Sequence, residues 1–357
     1  MIVKSLKLNQ FRNYESLQLS FDKGTNLFYG NNAQGKTNIL EAVYLCGTTK
    51  SHKGSKDREM IRFGEEEAHI RMAISRSQSA YEIDMHLKKN RPKGIAVNGV
   101  PIRKAAELLG IANFSPEDLG IIKNGPAERR RFIDMELCQL DKLYLHELSN
   151  YNKVIIQRNK LLKECSFNSQ YEEMLDIWDM QLVKYGKKLI ESRERFVKEL
   201  GVIVAEIHRN LTGGREELMV RYEKNVSADE FERKLQTSRK RDLKVKMSMT
   251  GPHRDDLLFE VKGVDIRRFG SQGQQRTAAL SLKLAEIELV KRAIKDTPVL
   301  LLDDVLSELD SSRQQYLLDS IHDIQTLITC TGIDDFIENK FQLNKVFHVA
   351  DGVVCEG

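Results

Sequence analysis

Three short motifs contain the residues whose types and spacing are suited to phosphate chemistry. Residues 30–37 read GNNAQGKT, residues 271–274 read SQGQ, and the apolar run LLLDDV carries Asp303 and Asp304. Glycine-rich turns let backbone amides surround a phosphate, and a pair of carboxylates can hold a metal ion or accept a proton. The chemistry that each motif can perform depends on the elements that position it.

The first motif matches the P-loop pattern at every fixed position, and its context also fits. A short apolar strand, NLFY, precedes it, and KTNILEAVYLCG follows with helical spacing. Lys36 would place a charge at the β and γ phosphates, and the Thr37 hydroxyl would ligate magnesium. We therefore predict a site for ATP or GTP, and its cofactor-binding residues are Gly30, Asn31, Asn32, Ala33, Gln34, Gly35, Lys36, Thr37 and Asn38.

The acidic pair, Asp303 and Asp304, ends a run that is apolar enough for a central parallel strand. Ligands bind at the carboxyl ends of such strands, so Asp303 would hold magnesium through water while Asp304 faces the attacking water. We predict Thr37 and Asp303 as metal residues, Asp304 as the general base and Lys36 as a further catalytic residue.

The surrounding elements predict an α/β fold that is interrupted by helices and then resumes. Alternating or apolar residues predict strands at 2–8, 16–21, 67–75, 80–88, 245–249 and 257–261, in TLITCT and in KVFHVADGVV. Asn98-Gly99 predicts a hairpin turn, and a helix follows the SQGQ turn.

A helical arm is predicted between Leu137 and Leu211, where apolar residues return every three or four positions in two stripes. The polar break ECSFNSQ separates the stripes, so the two helices should fold back antiparallel as an arm of roughly 40 Å. We expect a nucleotide-binding α/β lobe at 1–114 and 246–357 and a helical arm lobe at 115–245. The helix at 270–295 could pack with either lobe.

Composition excludes several classes of protein. Of the 357 residues, 41% are hydrophobic and 30% are charged, and no apolar run approaches the ~20 residues of a membrane helix. The five cysteines are scattered, so neither a disulfide framework nor a zinc site is indicated. The first residues lack the layout of a signal peptide, and we expect a cytoplasmic protein.

Basic residues are clustered, although the net charge of +4 is too small to prove a polyanionic partner. Arg129, Arg130 and Arg131 are consecutive, and residues 233–246 contain seven basic residues and one acid. A third group follows the P-loop helix and consists of Lys50, His52, Lys53, Lys56 and Arg58. Each group alone is compatible with an ordinary solvent-exposed surface. Three such groups in one chain favour a nucleic-acid partner.

A P-loop combined with SQGQ at a helix start, an acidic strand and SELD (307–310) resembles the ATP-binding cassette group. In that group the SQGQ-like turn, called here the signature turn (271–274), closes on ATP held by a second subunit. The resemblance implies that Ser271, Gly273 and Gln274 bind ATP across a dimer interface and that Ser271 is catalytic. It also implies that SELD crosses between the two sites.

The spacing of the motifs indicates which subgroup of ATP-binding cassette proteins the chain resembles, because 234 positions separate Thr37 from Ser271. Transporter cassettes keep these motifs much closer, and chromosome-maintenance proteins separate them by coiled coils longer than this chain. The chain resembles the RecF family of recombination mediators in the sequence and order of five motifs, which are FRNY, FSPEDL, GPAERRRFID, TGPHRDDL and LLLDDVLSELD.

The family resemblance implies a slow, DNA-stimulated ATPase that uses ATP and Mg²⁺ and dimerises on ATP. It further implies binding to gapped duplex DNA and to junctions of single and double strands, and cooperation with RecR and RecO in placing recombinase during replication and repair. The implied DNA contacts are Lys50, Lys53, Lys56, Arg58, Arg129, Arg130 and Arg131. Arg129 to Arg131 could equally anchor the root of the arm.

Some positions remain open at this stage. TLITCT offers Thr329 or Thr331 where cassettes often carry a phosphate-sensing histidine, and FSPEDL offers Glu117 or Asp118 for the glutamine of the lobe-joining loop. His253 and Arg254 could form a hinge, a nucleotide contact, a DNA contact or a structural element. The alternatives to a mediator are a transport-type cassette, an ATP-coupled nuclease and a DNA clamp without turnover; the inserted arm argues against the first and the chain length against the second.

Overall fold

Two compact units make up the part of the chain that the computed structural model describes. The described residues are 1–76, 79–102, 111–114, 120–165, 173–294, 296–306, 309–321, 323–332 and 343–357. The first unit combines Met1–Asp118 with Ile287–Gly357, and the second is Leu119–Glu286. The second unit therefore extends beyond the expected 115–245, and the division falls inside the helix that follows the signature turn.

The first unit contains an antiparallel sheet in the order β2-β1-β4-β5-β6-β7. Its strands are β1 (Ile2–Phe11), β2 (Tyr14–Ser20), β4 (Glu67–Arg76), β5 (Ser79–Lys88), β6 (Arg91–Val97) and β7 (Val100–Pro101). Along β4 and β5 buried residues alternate with more exposed ones, so the sheet has one apolar and one polar face. The predicted turn at Asn98-Gly99 joins β6 to β7, and both residues have the positive φ (51° and 77°) that a tight hairpin requires.

A second sheet of the first unit is parallel except at one edge, in the order β15-β14-β3-β13-β12-β8. Its strands are β3 (Thr25–Tyr29), β8 (Ile111–Phe114), β12 (Val299–Asp303), β13 (Thr326–Cys330), β14 (Lys345–Ala350) and β15 (Val353–Glu356). All five residues of β12 and of β13 are buried, as expected for central parallel strands. The acidic pair therefore emerges at the carboxyl end of a central strand.

Helix α1 (Lys36–Thr48) connects the two sheets of the first unit, because it contacts strands of both. The core around it contains Leu6 and Met72 of the antiparallel sheet, Leu40 of α1, and Leu301 of β12, all with no exposed surface. Burying such a side chain stabilises the fold by about 1.5–3 kcal/mol relative to exposure. The start of α1, where the P-loop ends, is thus held against a rigid core. Among the described residues, this unit also contains a 3-10 turn (Asp57–Glu59) and α9 (Ser311–Ser320).

The second unit is mainly helical. Among the described residues its helices are α2 (Gly120–Lys123), α3 (Pro126–Leu140), α4 (Lys142–Glu164), α5 (Leu175–Leu211), α6 (Phe231–Val245), a 3-10 turn (Pro252–Arg254), α7 (Ile266–Phe269) and the first part of α8 (Gln272–Ile294). Pairs between α4 and α5 run in opposite directions, since Lys188 bonds to Glu147 while Arg158 bonds to Asp179. The two long helices are therefore antiparallel, as the stripes predict.

The stripe that begins at Leu137 is divided between α3 and α4. Asp141 has an extended backbone (φ −138°), and its carboxylate accepts a hydrogen bond from the Leu143 amide, which starts α4. A carboxylate in this position satisfies an amide that has no partner within the helix. The local cap therefore interrupts a pattern that looks continuous.

A buried ion cluster ties three helices of the second unit together. Arg158 of α4 has no exposed surface and donates to Asp179 of α5 at 2.6 Å and to Asp242 of α6 at 2.7 Å. Losing one partner of such a cluster leaves an uncompensated buried charge and costs about 3–5 kcal/mol. The cluster fixes how these helices pack.

A small antiparallel sheet completes the second unit, in the order β11-β10-β9. The strands are β9 (Leu218–Glu223), β10 (Asp256–Val261) and β11 (Val264–Asp265). Because β10 pairs with β9 along its whole length, residues 256–261 belong to this unit and not to the α/β lobe. No helix among the described residues combines the length and the apolar character that crossing a bilayer requires.

Candidate functional site

The P-loop lies between β3 and α1, and its backbone requires glycine at two positions. Gly30 and Gly35 have φ of +149° and +113°, and a Cβ on Gly30 would lie 2.2 Å from the Val349 carbonyl. A Cβ on Gly35 would lie 2.4 Å from Asn13 Nδ2. A side chain at Gly30 would collide with backbone, and one at Gly35 would displace the side chains of Asn13 and Tyr14 and strain a backbone with positive φ. Asn31, Asn32 and Ala33 are exposed, while Gln34, Thr37 and Asn38 are half-buried.

Lys36 is buried, and its ammonium folds back onto the loop. Lys36 Nζ donates to the Gly30 carbonyl and, at 2.7 Å, to the Asn31 carbonyl. Burial lowers the pKa of Lys36, and the carboxylates of Asp304 and Asp303 oppose that shift. The lysine therefore holds the loop in shape and stays next to the acidic pair.

Asp303 meets the end of the P-loop. Its Oδ1 accepts hydrogen bonds from Thr37 Oγ1 at 2.8 Å and from Thr329 Oγ1 at 2.7 Å. Asp303 is 5% exposed, and a buried carboxylate is stable only when hydrogen bonds or a cation compensate its charge. The oxygen atoms of Thr37 and Asp303 fit a hard cation such as Mg²⁺, which binds oxygen ligands.

Asp304 lies just beyond the strand in a left-handed conformation, with φ +54°. Its amide donates to Thr329 Oγ1 at 3.0 Å and to the Thr329 carbonyl at 3.2 Å. These bonds anchor the backbone and turn it away from β12, and the residue is half-buried. Aspartate tolerates this backbone region better than most residues do, so the turn is compatible with a carboxylate at this position.

The structure brings three residues to the P-loop that the motif alone did not identify. Asn13 Nδ2 donates to the Gln34 carbonyl at 3.0 Å, Tyr14 OH donates to the Gly35 carbonyl at 3.1 Å, and the Asp351 amide donates to Gln34 Oε1. Burial raises the pKa of the Tyr14 phenol, so the hydroxyl keeps its proton for this bond. Asn13 and Tyr14 belong to the word FRNY, but no local pattern indicates a contact with residues about twenty positions away.

Arg12 and Glu41 form a second support beside α1. Arg12 donates from Nε and Nη2 to the two oxygens of Glu41, each at 2.8 Å, and Ser51 Oγ donates to the same carboxylate at 2.6 Å. Burial raises the pKa of Glu41, but the bonds from Arg12 and Ser51 outweigh that effect and lower it overall. The ionised pair fixes the hairpin turn of β1 and β2 against α1.

The signature turn begins α8 with a reciprocal cap. The Gln274 amide donates to Ser271 Oγ at 3.2 Å, and the Ser271 amide donates to Gln274 Oε1 at 3.0 Å. Ser271 and Gly273 are exposed, and the position of a Cβ on Gly273 would have only Ser271 Oγ, at 3.9 Å, nearby. The hydroxyl and the amides of the first turn thus lie at the surface of the second unit. The glycine keeps that surface open.

The candidate DNA contacts divide into two sets. Lys50, Lys53, Lys56 and Arg58 are all exposed and form what we call the basic loop. By contrast Arg129 is 4% exposed, and its guanidinium donates to both oxygens of Asp256 at 2.5 and 3.1 Å.

This burial corrects the expectation that Arg129 contacts DNA, since it anchors α3 to β10 instead. Arg130 donates to the Asp255 carbonyl at 2.8 Å, while Arg131 is exposed. Only Arg131 of the three thus keeps an exposed side chain.

The segment GPHRDD (residues 251–256) packs in the interior of the second unit and contacts several of its elements. His253 Nδ1 is 2.7 Å from Tyr151 OH and its Nε2 is 3.0 Å from the Ser248 carbonyl, and burial lowers the pKa of His253 to about 4. The Asp255 carboxylate is fully buried and accepts from Arg193, Tyr222 and the Asn225 amide. These contacts show a structural role for the motif. Glu117, Asp118, Ser307 and Glu308 lie outside the described residues.

The comparisons with known proteins identify the family. The sequence model of the RecF/RecN/SMC N terminal domain matches residues 2–354. A DNA replication and repair protein RecF of Agathobacter rectalis is 62% identical over 357 residues, with 99% of each chain covered. The chain belongs to the RecF family. A RecF of Lachnospira eligens is 60% identical over 359 residues, again with 99% of each chain covered.

Solved structures agree with this family. A structure of the recombination mediator protein RecF with ATP, in the RecFOR pathway, is 36% identical and superposes with a TM-score of 0.92 over 99% of this chain and 97% of the other. An Smc head domain from Pyrococcus furiosus is 17% identical and has a TM-score of 0.58 over 99% and 95% of the two chains, which shows a shared fold. The predicted α/β fold of ATP-binding cassette type and the predicted RecF resemblance are both confirmed.

Proposed function

We propose that this member of the RecF family is an ATP-dependent DNA-binding recombination mediator. It dimerises on ATP, binds gapped duplex DNA where single strands meet duplex, and helps to load recombinase in gap repair, with slow ATP hydrolysis. The observation that carries the proposal is the 2.8 Å hydrogen bond from Thr37 to Asp303, which joins the P-loop to the acidic strand. The full-length match to DNA replication and repair proteins named RecF supports the biological setting.

The loop geometry supports nucleotide binding. Residues 30–37 wrap backbone amides around the start of α1, whose first N–H groups have no side-chain cap from Gly35. Lys36 would exchange its bonds to the loop carbonyls for the β and γ phosphates. Thr37 and Asp303 would hold Mg²⁺, which neutralises phosphate charge when it is bound.

For hydrolysis, Asp304 accepts a proton from water. The two bonds from its amide to Thr329 fix its backbone, so the carboxylate leaves the strand end in a defined direction. A positioned general base contributes about 10²–10⁴-fold to a rate. We expect slow turnover that DNA stimulates, because productive geometry waits for the second subunit and its signature turn.

Dimerisation uses the signature turn. Ser271, Gly273 and Gln274 contact the γ-phosphate of ATP held by a second copy of the chain, through the hydroxyl and the amides of the first turn of α8. ATP then joins the two subunits, and hydrolysis separates them.

The exposure of Ser271 and Gly273, and the cap that orients the Ser271 hydroxyl, support this role. The RecF structures solved in the RecFOR pathway support RecR and RecO as partners.

DNA binds through the basic loop. Phosphate contacts supply most of the sequence-independent affinity, and each lost contact lowers the salt slope by about 0.9 for duplex DNA. The variant Lys53→Gln/Lys56→Gln should therefore lose affinity and show a slope smaller by about 2. The matched control Lys153→Gln/Lys198→Gln, which removes two exposed lysines from the arm helices, should keep the slope. Equal losses in both variants would contradict the assignment.

Light scattering tests the dimer. With Mg-ATP the wild type should double its mass. Ser271→Arg should stay monomeric, because the long arginine side chain would occupy the space that the γ-phosphate needs. Ser271→Thr keeps a hydroxyl cap and should dimerise.

Asp304→Asn should bind ATP and hold the dimer while phosphate release falls about 10²–10⁴-fold. An ATP-independent mass would refute the switch. A dimer with normal phosphate release in Asp304→Asn would refute the base, and release absent from every variant would leave a clamp without turnover.

A further inference from the structure

Three potential metal ligands converge on the polar face of the antiparallel sheet of the first unit. Glu67 and His69 are two positions apart on β4, so their side chains share a face. His86 lies directly opposite His69 on the neighbouring strand β5. Cross-strand partners have Cβ atoms about 4.5–5.5 Å apart, which lets the two imidazoles and the carboxylate meet.

The ligand atoms already lie at spacings that suit one ion. Glu67 Oε2 is 2.9 Å from His86 Nε2, and Glu67 Oε1 is 3.7 Å from His69 Nε2. One ligand atom from each residue lies within 4.8 Å of the others. Tetrahedral zinc with ligands at about 2.0–2.1 Å separates neighbouring ligand atoms by about 3.3 Å, which lies between the two observed Glu–His distances.

The two imidazoles lie face to face across the β4–β5 strand pair. The rings of His69 and His86 stack with centroids 3.9 Å apart and an angle of 26° between their planes. An imidazole nitrogen binds a metal in the plane of its ring, so the two rings must turn about their side-chain bonds for both nitrogens to face one ion. Both side chains lie at the surface, where such a rotation meets little resistance. The Glu67 carboxylate supplies the negative charge that such an ion requires.

We propose that Glu67, His69 and His86 bind a divalent transition metal ion, with Zn²⁺ the expected ion. Two imidazole nitrogens and one carboxylate form a donor set that zinc uses in proteins, whereas Mg²⁺ and Ca²⁺ prefer oxygen ligands. The site is therefore chemically distinct from the predicted magnesium residues Thr37 and Asp303. Cysteine spacing gave no indication of it, because its ligands are on two strands and none of them is a cysteine.

The surroundings leave the site open on one side. A groove of about 630 Å³ borders the two histidines and is also lined by Asn9, Arg71 and Asp84. Gly94 lies opposite His86 on β6, so no side chain faces His86 from that position of the neighbouring strand. Arg71 is paired with Asp84 at 2.6 Å, so its charge is compensated. A bound ion would join β4 to β5 and keep an open position for water or a further ligand.

Zinc titration of the full-length protein tests the site. The measurement is made without ATP, which binds zinc itself, with excess Mg²⁺ and in a Cys355→Ser background that removes an exposed thiol. One equivalent of Zn²⁺ should bind, and His69→Asn and His86→Asn should each weaken binding at least tenfold, since even outer ligand partners are worth about 10–100-fold. The control His146→Asn removes an exposed histidine of α4 and should bind normally.

Cobalt absorption provides a second readout that does not depend on affinity. Co²⁺ in the wild type should show the visible bands of a four-coordinate ion with nitrogen ligands, and both cluster variants should lose them. Circular dichroism without metal should be unchanged, because all three side chains are at the surface. Zinc affinity within twofold of wild type in both cluster variants, or cobalt bands that survive in them, would overturn the proposal.

Discussion

Replacing Thr329 with valine should weaken both the fold of the first unit and its chemistry. The Thr329 hydroxyl donates to Asp303 at 2.7 Å and accepts from the Asp304 amide at 3.0 Å, inside a strand whose residues are all buried. Valine has nearly the same shape and suits a strand equally well, so the change removes only the hydroxyl. A hydrogen bond to a charged group contributes about 1.5–3 kcal/mol, and the Asp304 amide keeps its bond to the Thr329 carbonyl.

We therefore expect the free energy of unfolding of the first unit to fall by about 2 kcal/mol. For a unit of this size that corresponds to a melting temperature lower by about 4–8 °C. ATP hydrolysis should fall about 10–100-fold, because Asp303 loses a partner that orients it as a metal ligand.

The matched control is Thr331→Val. Thr331 is exposed, so in this variant the free energy of unfolding of the first unit should change by no more than about 0.5 kcal/mol. Scanning calorimetry and phosphate release on both variants provide the test. Equal melting temperatures for the two variants would refute the account of Asp303. A variant Thr331→Val that is stable but inactive would identify Thr331 as the phosphate sensor.

Three further changes follow from the same contacts. Arg129→Met should lower the free energy of unfolding of the second unit by about 1.5–3 kcal/mol, because Asp256 loses the bonds from Arg129 but keeps the one from Arg267, while Arg131→Met should be neutral; denaturant titration compares them. Burial lowers the pKa of His253 to about 4, so the folded state binds fewer protons than the unfolded state, and stability should fall by about 3 kcal/mol as pH drops from about 6.5 to 4. A His253→Asn variant without that slope would confirm its origin. Gly35→Ala should abolish ATP binding measured by calorimetry, since alanine is strained at a φ of +113° and its Cβ would also meet the Asn13 and Tyr14 side chains; normal binding would contradict the loop geometry.

Local signals predicted the elements that depend on nearby residues. Asn98-Gly99 predicted a turn because both residues adopt positive φ readily, and the apolar run before Asp303 predicted a central strand because parallel strands are buried on both faces. The P-loop pattern likewise predicted a glycine-dependent turn between a strand and a helix, since glycine, lysine and threonine at fixed spacing define a local structure.

Long-range contacts decided the features that the sequence did not reveal. The alternation at 245–249 predicted a strand, which was wrong. Val245 ends α6, the Ser248 amide donates to Asn159 Oδ1, and the Met249 amide donates to Asp242 Oδ1. Those partners are distant in the chain or belong to the preceding helix, so periodicity cannot indicate them. The contacts of Asn13 and Tyr14 with the P-loop are also between residues distant in the chain, so periodicity could not indicate them.

The three consecutive arginines were predicted together as DNA contacts, although their surroundings differ. Arg129 and Arg131 look equivalent in the run of three arginines, yet one is paired with Asp256 in the interior and the other is exposed. Helical geometry places residues two positions apart on different faces, but only the partner strand shows which face is buried. A basic cluster therefore indicates a nucleic-acid surface only after its members are shown to be exposed.

Fluorescence anisotropy of a labelled gapped duplex, at one fixed salt concentration, tests the central claim most directly. The comparison uses ATP and ADP with the Asp304→Asn protein, so that ATP stays intact, and repeats it with Ser271→Arg added. An ATP-switched dimer predicts binding roughly tenfold or more tighter with ATP, a coupling of ordinary size, and loss of that difference when Ser271 is replaced. Equal affinity with both nucleotides, or a preference for ATP that survives Ser271→Arg, would contradict it.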